Sequence, residues 1–231
     1  GVKVRPTFRP DRCFSEGVDK VQLEKRLDYF VSKGCKIADH GFDDFSDTQN
    51  IEWLIEKCFE KGVVLQLHFG TFRNVNTAAF NKIGKDSGFD VFRASVDTDA
   101  LARLLDKMYT KLGGLPKIIL YPLNDECLRA VCAISGAFPN VIVGAAWWFN
   151  DTVSGIKRQL ETVSEYAVLG TNLGMLTDSR SFSSYVRFDF YRRILSSFIA
   201  DKVDHGEYDE KSALALAKDI AYNNVKEVLG L

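Results

Sequence analysis

The stretch that decides the fold is Gly62-Val63-Val64-Leu65-Gln66-Leu67-His68-Phe69-Gly70. It is a short apolar run with almost no polar interruption, which is typical of a strand buried on both faces in a parallel sheet. The run follows a stretch from Thr48 to Lys61 with helical periodicity, and Gly62 stands where a left-handed residue commonly ends a helix. We therefore predict a helix that leads directly into a buried strand.

The same alternation of apolar runs and amphipathic stretches occurs six times along the chain. The predicted strands are Val2 to Phe8, Lys36 to Asp39, Val63 to Phe69, Lys117 to Leu123, Val141 to Trp147 and Leu173 to Thr177. The predicted helices are Lys20 to Ser32, Thr48 to Lys61, Asp97 to Leu112, Asp125 to Ala137, Ser154 to Tyr166, Ser183 to Lys202 and Glu210 to Leu229. This order argues for an α/β fold with helices outside a parallel sheet, as in a (β/α)8 barrel or a doubly wound fold. The chain has no GxGxxG motif and no P-loop, so nucleotide-binding versions are disfavoured.

Composition and charge narrow the class of function. The 231 residues carry a formal net charge of −1 with scattered basic residues, so we expect a small-molecule substrate and neither nucleic acid nor a membrane as partner. No apolar stretch approaches the ~18 residues of a membrane span, and the N-terminus lacks a signal-peptide pattern, so we expect a cytoplasmic protein. Five cysteines without a CxxC pair predict reduced, mostly buried thiols.

Polar residues are concentrated where the predicted strands end, which is the reactive end of parallel βα architectures. These positions hold Arg9, Asp11, Asp39, His40, Asp43, His68, Arg73, Asn124, Asp125, Trp147, Trp148, Asn150, Asp151, Asp178 and Arg180. Structural roles compete with functional ones at each position. Aspartates after a strand often cap the next helix, as Asp125 and Asp151 would, and the histidines and tryptophans could be core residues. A long connection from Thr71 to about Ser95 is typical of a functional loop.

Four segments, in order, resemble motifs of the uronate isomerase family. They are Arg5-Pro6-Thr7-Phe8-Arg9-Pro10-Asp11, Leu67-His68-Phe69-Gly70 with Arg73-Asn74-Val75-Asn76-Thr77, Trp147-Trp148-Phe149-Asn150-Asp151, and Met175-Leu176-Thr177-Asp178-Ser179-Arg180-Ser181-Phe182. Asp39-His40-Gly41 supports the same resemblance. The similarity covers nearly all of the chain.

The resemblance implies an aldose–ketose isomerase, an intramolecular oxidoreductase that interconverts D-glucuronate with D-fructuronate and D-galacturonate with D-tagaturonate. It implies the (β/α)8 TIM-type barrel of the amidohydrolase superfamily as a single domain over residues 1–231, with strands 3 to 8 represented. The family's first two strands, including the first with its His-x-His metal pair, would then lie upstream of Gly1. The connections from Asp11 to Lys36 and from Gly41 to Val63 are shorter than is usual in the family.

The resemblance also assigns roles to residues. Asp178 matches the aspartate that binds a divalent metal, zinc or alternatively manganese, and it could also move a proton. Arg73 and Arg180 would grip a carboxylate or an enediolate, since a guanidinium offers two parallel hydrogen bonds. Trp147, His68, Asp11 and His40 would contact the hexuronate.

Two alternatives stay open. One is a metal-dependent hydrolase of the same superfamily, which would want a histidine at the end of the strand that leads to Asn124 and Asp125. The other is a non-catalytic barrel remnant that binds a sugar acid or a protein partner. A homo-oligomer is compatible with all of these interpretations.

Overall fold

The computed structural model describes residues 4–84, 87–179 and 181–230. The candidate Arg180 and the beginning of the first predicted strand, Val2 and Lys3, lie outside the described residues. The chain divides into two compact units. Unit 1 comprises Gly1–Ile118 and Pro122–Cys127, and unit 2 comprises Ile119–Tyr121 and Leu128–Leu231.

Unit 1 is built on three parallel strands, β1 (Thr7–Phe8), β2 (Ile37–Phe42) and β3 (Val64–Phe69). Its helices are α1 (Asp11–Ser15), α2 (Lys20–Ser32), α3 (Gln49–Lys61), α4 (Thr77–Ile83) and α5 (Thr98–Leu112). The structure gives α2 its predicted bounds, and α3 and α5 each begin one residue later than predicted. Helix α3 buries Ile51, Leu54, Ile55 and Cys58, whose spacing places them on one face of a helix. Gly62 ends α3 in the left-handed conformation, as predicted.

The long connection from Thr71 to Ser95 contains regular structure of its own. The strands β4 (Thr71–Phe72) and β5 (Val91–Phe92) pair in antiparallel fashion, and α4 lies between them in the chain. The side chain of Asn76 caps α4 by accepting a hydrogen bond from the Ala79 N–H. The segment is therefore a small folded excursion after β3.

Unit 2 combines the centre of β6 (Ile118–Pro122) and β7 (Val141–Val143) with mostly helical structure. Its helices are α6 (Leu128–Ala137), α7 (Val153–Tyr166), α8 (Val186–Asp204), α9 (Glu210–Lys218) and α10 (Asn224–Leu229). Helices α7 and α8 bury Leu160, Val163, Leu195 and Phe198. The ammonium of Lys202 on α8 joins Glu161 of α7 at 2.8 Å and Glu207 at 2.9 Å, and these hydrogen bonds raise the pKa of Lys202.

Several predicted elements of unit 2 differ in the structure. The strand predicted over Val141 to Trp147 ends at Val143, and the helices predicted from Asp125 and Ser183 begin at Leu128 and Val186. The strand predicted over Leu173 to Thr177 is wrong: the segment forms no β-structure. Its backbone turns at Gly174, which has a φ of 75° and donates its N–H to the side-chain oxygen of Asn172, so the extended conformation is interrupted. The helix predicted over Glu210 to Leu229 is divided by a π-helical turn at Asp219–Asn223.

Strands β1, β2, β3, β6 and β7 form one sheet in the order β1-β2-β3-β6-β7, and β6 contributes residues to both units. The fold is thus α/β with a parallel sheet, as the alternation of the sequence predicts. All five cysteines are free thiols and four of them are buried, which confirms the prediction for them. In the described ranges no helix is long and apolar enough to cross a membrane.

Candidate active site

The adjacent strands β2 and β3 carry three of the polar candidates, Asp39, His40 and His68. The two strands run in register, with Asp39 opposite Gln66 and Gly41 opposite His68. Because side chains alternate along a strand, Asp39 and His68 lie on one face of the sheet and His40 lies on the other. The predicted candidates His40 and His68 are thus on opposite faces.

His68 is held between a carboxylate and a guanidinium. Its Nδ1 lies 3.2 Å from Asp39 Oδ1, and its Nε2 lies 3.4 Å from Arg9 Nη2. Arginine can only donate, so Nε2 accepts and the ring carries its proton on Nδ1. His68 is only 5% exposed, and these two contacts fix the orientation of its ring.

Arg9 connects the histidine to two carboxylates. Its Nε donates to Asp11 Oδ2 at 2.9 Å, and its Nη1 lies 3.2 Å from Asp39 Oδ2. Burial of Asp11 acts to raise its pKa, but the hydrogen bonds and charges of His40 and Arg9 outweigh it. They hold the pKa of that carboxyl below its ordinary value of 3.8. Asp11 is therefore an anion at neutral pH, and the three nitrogens of Arg9 all face polar partners.

Arg73 lies in the excursion that follows β3, directly after β4. Its Nη1 donates to Asp90 Oδ2 at 3.0 Å, and the Asn74 N–H donates to the other oxygen of Asp90 at 2.8 Å. Asn74 has a φ of 54°, so Asp90 supports both the arginine and a strained backbone. The ion pair with Asp90 therefore holds the Arg73 side chain in place, although that side chain is substantially exposed.

Unit 2 carries the remaining candidates. The ring of Trp147 packs edge-on against Tyr121 at 6.3 Å and next to Trp148 at 5.6 Å. Asp151 does not cap α7, since the Thr152 side chain accepts the Gly155 N–H there. Its carboxylate is 3% exposed and instead forms an ion pair with Arg187 of α8. Asp178 is exposed.

Left-handed backbone conformations occur in the segments that resemble the family motifs. Among the described non-glycine residues, positive φ values occur at Asn74, Asn140, Trp148 and Asp178. Three of these four belong to the segments that carry the family resemblance. Left-handed non-glycine residues cost of order 1 kcal/mol or more and are concentrated at functional sites. Trp148 at 54° and Asp178 at 42° therefore support the assignment of both segments to a site.

The family model described as glucuronate isomerase matches residues 44–229. The chain belongs to this family. Among curated relatives, the uronate isomerase of Caldanaerobacter subterraneus subsp. tengcongensis is 34% identical over 291 residues, which covers 100% of this chain and 62% of the relative. That of Staphylococcus haemolyticus is 37% identical over 286 residues, covering 96% of this chain and 60% of the relative. The chain thus spans about three fifths of the length of these relatives.

Solved structures of glucuronate isomerase family members have the same fold. A uronate isomerase from Thermotoga maritima superposes with a TM-score of 0.89 at 27% identity, covering 99% of this chain and 62% of that one. A glucuronate isomerase from Caulobacter crescentus gives a TM-score of 0.80 at 28% identity, covering 90% of this chain and 49% of that one.

The metal that the isomerase family implies finds an incomplete set of donors here. No group of three or more His, Cys, Asp or Glu side chains that could hold a metal ion occurs among residues 4–84, 87–179 and 181–230. Both nitrogens of His68 already face Asp39 and Arg9, and the Arg9 guanidinium is an unfavourable neighbour for a cation. The described residues therefore do not form a metal centre by themselves.

Arg9 and Asp39 were identified from the sequence as polar strand-end residues, but neither was assigned a role in the site. Both belong to segments with the family resemblance, and both follow an apolar run. The sequence therefore marked both residues, but the contact of Asp39 with His68 depends on the register of β2 against β3. Sequence spacing does not supply that register.

Proposed function

We propose that this chain is part of a uronate isomerase, which moves the carbonyl of a hexuronate between C1 and C2. Membership of the glucuronate isomerase family is the observation that carries the proposal. The whole enzyme would interconvert D-glucuronate with D-fructuronate and D-galacturonate with D-tagaturonate. Its partner would be the small hexuronate, with neither nucleic acid nor membrane, in a cytoplasmic protein that is compatible with a homo-oligomer.

The fold proposal is the (β/α)8 barrel of the amidohydrolase superfamily in a single domain. Strands β1, β2, β3, β6 and β7 would be its third to seventh strands. The alternation of strands and helices and the TM-score of 0.89 with a family member support this correspondence. In such a barrel the carboxyl ends of the strands and the loops that follow them form the active-site side.

The reaction removes a proton next to a carbonyl and returns it to the neighbouring carbon, so the site needs a base and donors for charged oxygens. Asp178 is our candidate to move the proton. Arg73 and Arg180 are proposed to grip the carboxylate or the enediolate that forms. His68, held by Asp39 and Arg9, is proposed to contact the hexuronate with its ring, and Trp147 would pack against the sugar. Asp11 completes the set by holding Arg9.

The proposed cofactor is a divalent metal, zinc or manganese, with Asp178 as its ligand from this chain. Such an ion supplies Lewis acidity toward substrate oxygens.

The hydrolase alternative is weakened by Asn124. That residue stands after β6, where a hydrolase would need a histidine, and its side chain is 2% exposed. The amide donates to the Arg93 carbonyl at 2.6 Å and accepts the Glu126 N–H at 2.9 Å. Asn124 therefore has a structural task in the loop.

The test is a coupled assay for ketose formation with the full natural polypeptide, D-glucuronate and D-galacturonate, and added Zn²⁺ or Mn²⁺. Asp178→Asn should lower kcat by roughly a hundredfold or more, the range for loss of a general acid–base group. Asp204→Asn, an exposed carboxylate near the end of α8, should keep wild-type activity. Absence of ketose from both substrates would overturn the isomerase proposal in favour of a sugar-acid-binding or protein-binding remnant.

A further inference from the structure

His40 lies on the face of β2 that does not carry Asp39. It is 7% exposed and surrounded by aromatic rings, with Phe14 edge-on at 5.3 Å and Phe42 tilted at 5.8 Å. A histidine in such surroundings is usually a core residue. Its Nδ1, however, makes a short contact of 2.5 Å with Asp11 Oδ1. An ionised carboxylate can only accept, so the imidazole donates its Nδ1–H.

Asp11 lies beside β2 beyond the end of β1, where no other strand of the described residues pairs with this edge. Strand β1 pairs with β2 at Ile37 and Ala38 and ends there. Further along, the Gly41 N–H donates to Asp11 Oδ1 at 3.3 Å, so a side chain takes the place of a strand carbonyl. The same Oδ1 receives His40, which leaves Oδ2 for Arg9. One carboxylate therefore links the two faces of the strand.

The contact between Asp11 and Arg9 determines how the Arg9 guanidinium is oriented. A guanidinium is planar, so fixing its Nε edge fixes the directions of both terminal nitrogens. With Nε held by Asp11, Nη1 meets Asp39 and Nη2 meets His68. Without that hold, Arg9 could rotate and keep only its pairing with Asp39. The orientation of Asp11 thus decides whether Arg9 lies against His68 Nε2.

We propose that His40 is a positioning residue of the isomerase site: by donating to Asp11 it keeps the Arg9 guanidinium aligned against Asp39 and His68. His40 itself then has no contact with the substrate, in contrast to the role expected from the sequence. The proposal rests on the proposed function for its catalytic consequence, while the alignment of Arg9 is independent of it.

The experiment compares two substitutions in the full natural polypeptide. In His40→Asn the side-chain amide can still donate from nearly the position of Nδ1, whereas His40→Leu fills space and donates nothing. We expect His40→Leu to lower kcat at least tenfold with a smaller change in KM, and His40→Asn to restore most of kcat. Leu105→Ala on α5, a fully buried residue, is the control for lost stability and should leave kcat of the folded protein unchanged.

A second readout needs no activity. The Arg9 Nε–H resonance, assigned by its loss in Arg9→Lys, should shift and exchange faster in His40→Leu but stay near its wild-type position in His40→Asn. An unchanged resonance in His40→Leu overturns the positioning role, and so does equal kcat in the two variants. An inactive wild type with the expected shifts would instead overturn the isomerase function and leave the alignment established.

Discussion

Gly41 on β2 stands directly opposite His68 on β3, and a Cβ at position 41 would overlap the imidazole ring. The ring therefore lies across the strand over a residue without a side chain. This close approach allows His68 to reach Asp39 with one nitrogen and Arg9 with the other. The glycine is required by the space that the histidine occupies.

Replacing Gly41 with alanine should displace His68. We expect kcat/KM for hexuronate to fall by roughly a hundredfold, which is the scale for a misplacement of about 1 Å at an active site. Steady-state kinetics measure this. Gly136→Ala on α6 is the matched control, since a Cβ there meets nothing within 4 Å and alanine favours a helix. If the two variants have equal activity, Gly41 is not needed to make room for the His68 ring.

The Asp11 carboxyl should make stability depend on acid pH. Its pKa is lower in the folded protein than its ordinary value of 3.8, so the folded state binds fewer protons. The resulting stability is complete above the unfolded pKa and is lost as pH falls through the folded pKa. Denaturant unfolding at several pH values should show Asp11→Asn less stable than wild type at pH 7, with the difference shrinking below about pH 4.

A control for that experiment is Asp106→Asn, an exposed carboxylate on α5. Its stability should differ little from wild type at every pH. A constant difference between Asp11→Asn and wild type across the acid range would show that Asp11 acts through packing and not through its charge.

The helices of the fold could be predicted because their signals are local. Helix α2 has the predicted bounds Lys20–Ser32, and Gly62 ends α3 in the left-handed conformation that was expected of it. The excursion after β3 was predicted only as a long loop. Its two-residue strands are too short to show a period of two, and α4 spans only two turns.

The apolar run from Leu173 to Thr177 resembles a strand, yet the structure turns it at Gly174. A Cβ there would lie 2.7 Å from the Ile220 carbonyl oxygen, so a distant part of the chain requires the glycine. The site shows the same limit. The sequence marked Asp11, His40 and His68 as polar strand-end residues, but whether each histidine meets Asp11 or Asp39 follows from strand faces and register.

The pair Arg187–Asp151 should contribute strongly to the stability of unit 2. The Asp151 side chain is 3% exposed, and its Oδ1 is buried with no hydrogen-bond partner in the part of the chain that the structure describes. Arg187→Met would leave a buried charge uncompensated, which costs about 3 kcal/mol. Urea unfolding measures this, and adding Asp151→Asn should recover part of the loss.

Arg193→Met on the same helix is the comparison for that pair. Arg193 forms an exposed i,i+4 pair with Asp189 at 2.8 Å, and such pairs contribute only about 0.5 kcal/mol. Equal losses in Arg187→Met and Arg193→Met would mean that the Asp151 carboxylate is solvated and that its partner is dispensable.

At Arg73, a substitution with lysine separates the effect of positive charge from that of the planar guanidinium. Its Nη1 donates to Asp90 at 3.0 Å, and this hydrogen bond orients the plane of the guanidinium. Arg73→Lys keeps the positive charge but removes the planar fork, so one charge-assisted hydrogen bond to the hexuronate is lost. Since such a bond is worth about 1.5–3 kcal/mol, kcat/KM should fall roughly tenfold to hundredfold.

Arg103→Lys is the control for that prediction. The Arg103 side chain is exposed near Asp97, so this variant should keep wild-type kinetics and the same unfolding midpoint. Should Arg73→Lys match Arg103→Lys in kcat/KM, Arg73 would be an anchor of the excursion through Asp90 and not a contact to the substrate.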